Sequence, residues 1–241
     1  MAGNVILSAR MQAVADMVSK GNQVCDVGCD HGYVSIYLIQ QKIAPKVLAM
    51  DINHGPLERA KEHVEQAGLL KYIVLRRSDG LAAYNAGEAD TLICAGMGGR
   101  LMQRILEREQ DKTESFQELI LQPQSELASF RKFLRDKGYS IKQEDMILED
   151  DKFYPIIKVV FGKEEHPQID ERLADRFGPM LLAGKHPVLI EYLQREWKNA
   201  LKLKEVLKAA DDSQRAKERL VRLEEELVFL KEALEICVCK P

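Results

Sequence analysis

Between residues 23 and 161, seven short apolar or β-branched runs alternate with longer amphipathic stretches. That rhythm restricts the chain to repeated βα units around a mostly parallel sheet, an α/β fold. Strands are expected at residues 23–27, 46–52, 73–77, 91–95, 118–122, 140–148 and 154–161. Only a short connection separates the last two. They should therefore close the sheet as an antiparallel hairpin, with Asp150-Asp151-Lys152 as its turn. A first helix over residues 9–20, capped by Ser8, precedes the sheet. Helices over 33–42, 55–68, 99–108 and 125–137 then supply the crossovers, so that each crossover has its helix.

Past Gly162 no further strand pattern appears, which puts a boundary near Lys163 and divides the chain into domains 1–163 and 164–241. In the second part, residues 169–182 read as a short helix and 188–208 as a long one, and residues 209–213 turn the chain. In the last helix Ala216, Leu220, Leu223, Leu227, Leu230, Leu234 and Cys237 recur at alternating spacings of four and three. Ile190, Leu193, Trp197, Ala200 and Leu207 keep the same rhythm in the helix before. A link this short joins the two helices antiparallel, as a coiled-coil hairpin.

Composition sets bounds on function. With 46% hydrophobic and 30% charged residues and no long apolar run, a membrane protein is not expected. No leader pattern opens the sequence, so the cytoplasm is the expected compartment. The five cysteines, Cys25, Cys29, Cys94, Cys237 and Cys239, form no CxxC pair and have no His cluster beside them; they read as reduced thiols, with no metal site. A net charge of −3 means that any polyanionic partner must be met by a local basic patch. Arg10, Arg76, Arg77, Arg100, Arg104 and Arg108 are the candidates, though each is equally readable as a solvated helix or strand end.

The chemistry concentrates at the strand ends. The first strand runs into Asp26-Val27-Gly28-Cys29-Asp30-His31-Gly32, a tight strand-to-helix turn at the edge of the sheet where ligands bind. Gly28 lets the backbone approach a ligand, and Gly32 lets the helix start hard against the strand. A dinucleotide binder would need glycine where Asp30 stands, because a carboxylate there repels a pyrophosphate. The same carboxylate suits the amino group of a methionine moiety. Asp51, followed by Ile52, ends the second strand and can accept both hydroxyls of a ribose. Asp79-Gly80 follows the third strand and can accept an adenine amine. Three acids at three consecutive strand ends point to S-adenosylmethionine. Taken singly, each acid also reads as a cap or turn residue, and for Asp79-Gly80 alone that is the better reading. After the fourth strand, Ala95-Gly96-Met97-Gly98-Gly99-Arg100 stands where many base-modifying methyltransferases carry Asn or Asp with two prolines. The glycines permit close approach, and Met97 offers an apolar wall.

Leu7-Ser8-Ala9-Arg10-Met11, the segment 26–33, Ala95-Gly96-Met97-Gly98-Gly99 and Phe153-Tyr154-Pro155-Ile156 together resemble the TrmK family of bacterial tRNA (adenine-22-N1)-methyltransferases, over nearly the whole chain. The resemblance implies a Rossmann-like class I S-adenosylmethionine-dependent methyltransferase domain followed by a helical coiled-coil hairpin. It also implies methyl transfer to N1 of an adenine in the D-arm region of tRNA. The cofactor set would be Asp26, Gly28, Asp30, Gly32, Asp51, Ile52, Asp79, Gly80, Ala95, Gly96 and Met97. A target base must be splayed out of its stack to expose N1. Arg10, His31, Tyr33, Gly98, Gly99, Arg100 and Tyr154 would meet the substrate, and Asp30, His31 and Met97 would act at the reacting centre, positioning ranking above general base catalysis. The expected partner is tRNA, the expected state a monomer. Two alternatives stay open on the residues alone: a methyltransferase for a small molecule or protein with the hairpin as dimerisation element, and a catalytically silent nucleotide-binding module.

Overall fold

The computed structural model describes residues 4–162, 167–209 and 214–238, the side chains of Ala209, Gln214 and Ala216 excepted. The chain falls into two compact units, residues 1–166 and 167–241.

The first unit holds one seven-stranded sheet of order β3-β2-β1-β4-β5-β7-β6. Strands β1 (Val24–Val27), β2 (Val47–Asp51), β3 (Ile73–Arg77), β4 (Thr91–Met97) and β5 (Glu118–Pro123) are parallel. β6 (Tyr139–Glu149) and β7 (Lys152–Phe161) form the antiparallel hairpin, β7 pairing with β5. Every residue of β1, β2 and β5 is buried, as strands covered on both faces require, whereas the edge strand β3 exposes Val74. The hairpin turn is the two residues Asp150 and Asp151, both with positive φ, and Lys152 already pairs with Glu149.

Helices α1 (Ala9–Asp16), α2 (Tyr33–Gln40), α3 (His54–Gln66), α4 (Gly99–Arg108), α5 (Gln110–Thr113) and α6 (Leu127–Asp136) flank the sheet. Ser8 caps α1, its Oγ accepting from the Met11 amide at 3.4 Å. That helix stops short of the expected residue 20. The Met17 carbonyl accepts from Lys158 Nζ at 2.9 Å, and the Ser19 amide and hydroxyl donate to the buried Glu118 carboxylate at 2.8 and 2.6 Å. Burial would raise the Glu118 proton affinity, but Lys158, Ser19 and Thr91 together hold it below the usual carboxylate value.

One crossover departs from expectation. No helix joins β3 to β4; the stretch from Ser78 to Asp90 is a series of turns. Leu81 and Tyr84 fill the layer instead. Tyr84 stacks on Phe116 with centroids 4.7 Å apart, and its hydroxyl bridges the Ala89 amide and carbonyl at 3.2 Å each.

The second unit comprises α7 (Glu171–Phe177), α8 (Pro179–Ala183), α9 (Pro187–Ala209) and α10 (Gln214–Val238). The single helix expected over 169–182 is two, because Gly178 takes φ 93° and Pro179 removes an amide just where the ladder would continue. α9 and α10 run antiparallel: Lys204 pairs with Glu224 at 2.8 Å, and Leu234 shares a cavity with Gln194 and Trp197. Leu193, Ala200, Leu227, Leu230 and Cys237 of the expected seam are buried, while Leu189 and Ala233 are buried in place of the neighbouring Ile190 and Leu234. Arg172 and Arg176 lie over the Phe229 ring, and Arg176 pairs with Glu226. Of the turn expected over 209–213, Ala209 still belongs to α9 and the rest lies outside the described residues, as does the side chain of the seam position Ala216. No helix among those described is long and apolar enough to cross a membrane.

Candidate active site

A cavity of about 440 Å³ opens at the carboxyl ends of β1, β2 and β4, a size usual for small-molecule sites. β1 and its turn supply Asp26, Gly28, Cys29, Asp30, His31 and Tyr33, while β2 supplies Asp51 with Asn53 beyond it. β4 supplies Ile93, Ala95, Gly96 and Met97, and Arg10, Met11 and Gln124 come from α1 and the turn after β5.

Three carboxylates share this space. Asp26 is buried and accepts from Ser35 Oγ at 2.7 Å. Burial raises its proton affinity, the Ser35 bond lowers it and the neighbouring Asp51 charge raises it, leaving a pKa of about 6. Asp51 is buried at the strand end, its Oδ1 accepting the Asn53 amide at 2.8 Å. Its second oxygen has no hydrogen-bond partner among the described residues, and the residue lines the cavity. Asp30 stands exposed with φ 47°, 3.5 Å from His31 Nε2. A concave site with two buried carboxylates and an exposed one at its mouth suits a ligand carrying positive charge and hydroxyl donors.

β4 bends over this space. Its pairing with β5 shifts register between Ala95 and Met97, a bulge in which Gly96 takes φ 77°. The Gly96 amide leaves the ladder and donates to Oε1 of fully buried Gln122 at 3.1 Å, the same oxygen that accepts from Arg10 Nη1 at 3.1 Å. Met97 is thereby turned inward. A Cβ on Gly28 would stand 2.2 Å from the Met97 methyl, so the room above Gly28 serves the protein's own thioether. Met97 Sδ also lies 3.6 Å from Cys94 Sγ. Burial pushes Cys94 up to about 12 and raises Cys25 and Cys29 as well, so these thiols stay protonated at neutral pH. Cys25, Cys29, Cys94 and Cys237 are free, and Cys239 lies outside the described residues.

Aromatic rings gather at the rim. Tyr33 stacks on His63 at 4.8 Å, His31 lies nearly parallel to Tyr33 at 5.8 Å, and His63 Nδ1 is 2.9 Å from the His31 carbonyl. Tyr154 carries the Arg10 guanidinium over its ring at 4.9 Å.

Several expected site residues stand elsewhere. Gly32 starts α2 with φ 75°, and a Cβ there would crowd Ala60 of α3, so its constraint is helix against helix rather than helix against strand. Ile52 is exposed, its carbonyl accepting from Arg77 Nε at 3.1 Å. Asp79 is exposed and pairs with Arg108 at 2.7 Å, and Gly80 makes room for Ile105. Gly98 precedes α4, and a Cβ on Gly99 would stand 2.5 Å from the Ser125 carbonyl oxygen. Arg100 pairs with Glu126 at 2.6 Å and Arg76 with Glu88 at 2.6 Å, while Arg104 is exposed without a partner among the described residues. The sequence did not point to Gln122, Gln124, Asn53 or His63, whose positions depend on the bulge and on α3. Among the described residues no group of side chains is arranged to hold a metal ion.

The family model described as a methyltransferase domain matches residues 7–157. The tRNA (adenine(22)-N(1))-methyltransferase of Bacillus subtilis is 32% identical over 95% of this chain and 97% of its own length. The crystal structure of that enzyme, TrmK, superposes with a TM-score of 0.83 over 95% of this chain and 99% of its own. The structure of Streptococcus pneumoniae Sp1610 in complex with S-adenosyl-L-methionine is 33% identical, with a TM-score of 0.81 over 95% of this chain and 100% of its own. Sequence and fold agree over both units, and the chain belongs to the TrmK family of methyltransferases.

Proposed function

We propose that this chain transfers the methyl group of S-adenosylmethionine to N1 of adenine 22 in tRNA. The observation that carries the reading is end-to-end similarity to an enzyme of that name, coupled with an acid-lined cavity at the strand ends where such a cofactor sits in α/β folds. When bound, S-adenosylmethionine supplies an activated methyl on a sulfonium. The residues present fit it: Asp51 accepts the ribose hydroxyls, and Asp26 and Asp30 face the cationic amino-acid portion. Gly28, Ala95, Gly96 and Met97 form the wall beside them. Asp79 reaches the adenine amine only by exchanging its Arg108 partner.

His31, Tyr33 and Tyr154 offer rings against which a splayed base stacks, with Arg10 held beside Tyr154 for the backbone. N1 of adenine carries a lone pair, so aligned positioning supplies much of the acceleration and no strong base is required. The methylated base gains positive charge, and the Asp30–His31 pair at 3.5 Å is placed to offset it. The second unit serves as a tRNA-contacting arm on a monomer acting in the cytoplasm.

Incubation of the enzyme with unmodified bacterial tRNA and radiolabelled cofactor, followed by mass spectrometry of the digested product, should place one N1-methyladenine at position 22. Labelling of a metabolite pool with no label in tRNA would overturn the assignment.

A further inference from the structure

The end of β5 and the residue after it, Gln122-Pro123-Gln124, carry two side-chain amides with opposite fates. Gln122 is fully buried and spends its oxygen on the Gly96 amide and Arg10. Gln124, two residues on, is exposed at the cavity wall, and its side chain makes no hydrogen bond among the described residues. Its backbone is nevertheless fixed: the Gln124 amide donates to the Met97 carbonyl at 2.9 Å, and Pro123 before it is buried and paired with Met97. The amide Nε2 lies beside Gly96, 3.9 Å from where a Cβ would be. A free donor and acceptor thus stand on a fixed backbone beside Gly96 in the cavity wall.

The chemistry of the target narrows what this amide can read. Methylation at N1 needs the N1 lone pair directed at the methyl donor, so a protein hydrogen bond to N1 would block the reaction. Recognition falls to the other edge, where N6 donates and N7 accepts. A primary amide matches that pair, its oxygen accepting from N6 and its nitrogen donating to N7. Guanine offers two acceptors there and leaves the amide oxygen facing O6. We infer that Gln124 is a specificity-determining residue that reads the N6–N7 edge of the target adenine. The inference rests on the adenine-N1 reading above.

The test uses full-length enzyme and tRNA transcripts with either adenine or 7-deazaadenine at the target position, which differ in N7 alone. For wild-type enzyme, loss of N7 should lower kcat/KM by about tenfold relative to Gln124→Ala, whose own ratio reports the intrinsic effect of the altered ring. Gln124→Ala should slow the adenine transcript by about tenfold and lose the preference for N7. Gln124→Glu keeps the acceptor for N6 and loses the donor for N7, so it too should lose the preference. Each variant's melting temperature, expected to match wild type because the side chain is exposed, separates misfolding from misreading. If Gln124→Ala keeps the wild-type ratio of the two substrates, the inference is wrong. If wild-type enzyme methylates neither transcript, the adenine-N1 reading itself fails, which is a different result.

Discussion

Asp26 sits where a charge is expensive in the free protein and useful once a cation arrives. Its pKa of about 6, against an ordinary value of 3.8, means that the folded chain holds the proton more tightly than the unfolded one. As pH rises from about 4 to about 6, the unfolded state ionises first and the fold loses up to about 3 kcal/mol, a cost that then stays constant above pH 6. Asp26→Asn should therefore raise the melting temperature at pH 8, with the gain shrinking as pH falls toward 4. The same variant should bind S-adenosylmethionine more weakly and without the loss of affinity that wild type shows below about pH 6. A wild-type affinity that is flat from pH 5 to pH 8 would remove the charge argument. Asp51 makes a different prediction, because its role is geometric. Asp51→Ala deletes the free oxygen and the bond to the Asn53 amide, and calorimetry should register a loss of cofactor affinity of about tenfold or more. Unchanged affinity would contradict the ribose assignment.

The elements that position these acids were legible to different degrees. β1, β2, β4 and β5 announce themselves because strands covered on both faces are mostly apolar, the buried Asp26, Asp51, Thr91, Glu118 and Gln122 being the exceptions. The β3–β4 connection was misjudged because Leu81, Tyr84 and Phe116 cover the sheet without a helix, and side-chain stacking leaves no period in a sequence. The break in 169–182 was written in Gly178-Pro179 but is masked by apolar residues on either side. Asp30, Asp51 and Asp79 could be read from strand ends, though only the first two line the cavity, whereas Gln122 and Gln124 acquire their places from a bulge that only the β4–β5 register reveals. The glycines after that bulge are testable as packing elements. At Gly99 a Cβ meets a backbone oxygen at 2.5 Å, so Gly99→Ala must displace either α4 or the turn before α6. A cost of about 1–3 kcal/mol follows, lowering the melting temperature by roughly 2–4 °C per kcal/mol. At Gly98 the nearest atom is the Ser125 hydroxyl oxygen at 3.2 Å, a side-chain atom that has to yield only a few tenths of an ångström and risks at most its bond from the Gly99 amide at 3.3 Å, so Gly98→Ala should cost less. Equal losses at the two sites would mean that the close approach is not what selects glycine at 99.

For the molecule as a whole, binding a polyanion with a net charge of −3 is a problem of local charge. In the first unit Arg76, Arg100 and Arg108 already pair with Glu88, Glu126 and Asp79, so each must exchange a carboxylate for a phosphate. The exposed Arg108–Asp79 pair exchanges readily and gains correspondingly little, whereas the part-buried, bidentate Arg76–Glu88 pair, with Arg76 also on the Ala83 carbonyl, gives up its carboxylate less easily. The second unit shows the same mixed surface, with Lys204 on Glu224, Arg222 on Glu218 and Lys231 on Glu235. On α4 the exposed Arg100, Arg104 and Arg108 recur every four residues, but two of the three are paired with carboxylates, and tRNA affinity should therefore be a sum of weak contributions from both units. Each unit has its own buried core, so removing residues 163–241 should leave a folded methyltransferase unit. That fragment is expected to melt cooperatively and bind S-adenosylmethionine as the full chain does, while its tRNA affinity falls and the salt dependence of the remaining binding becomes shallower, since fewer phosphates are neutralised. A fragment that binds tRNA with undiminished affinity and an unchanged salt slope would confine recognition to the first unit and leave the hairpin without a role in it.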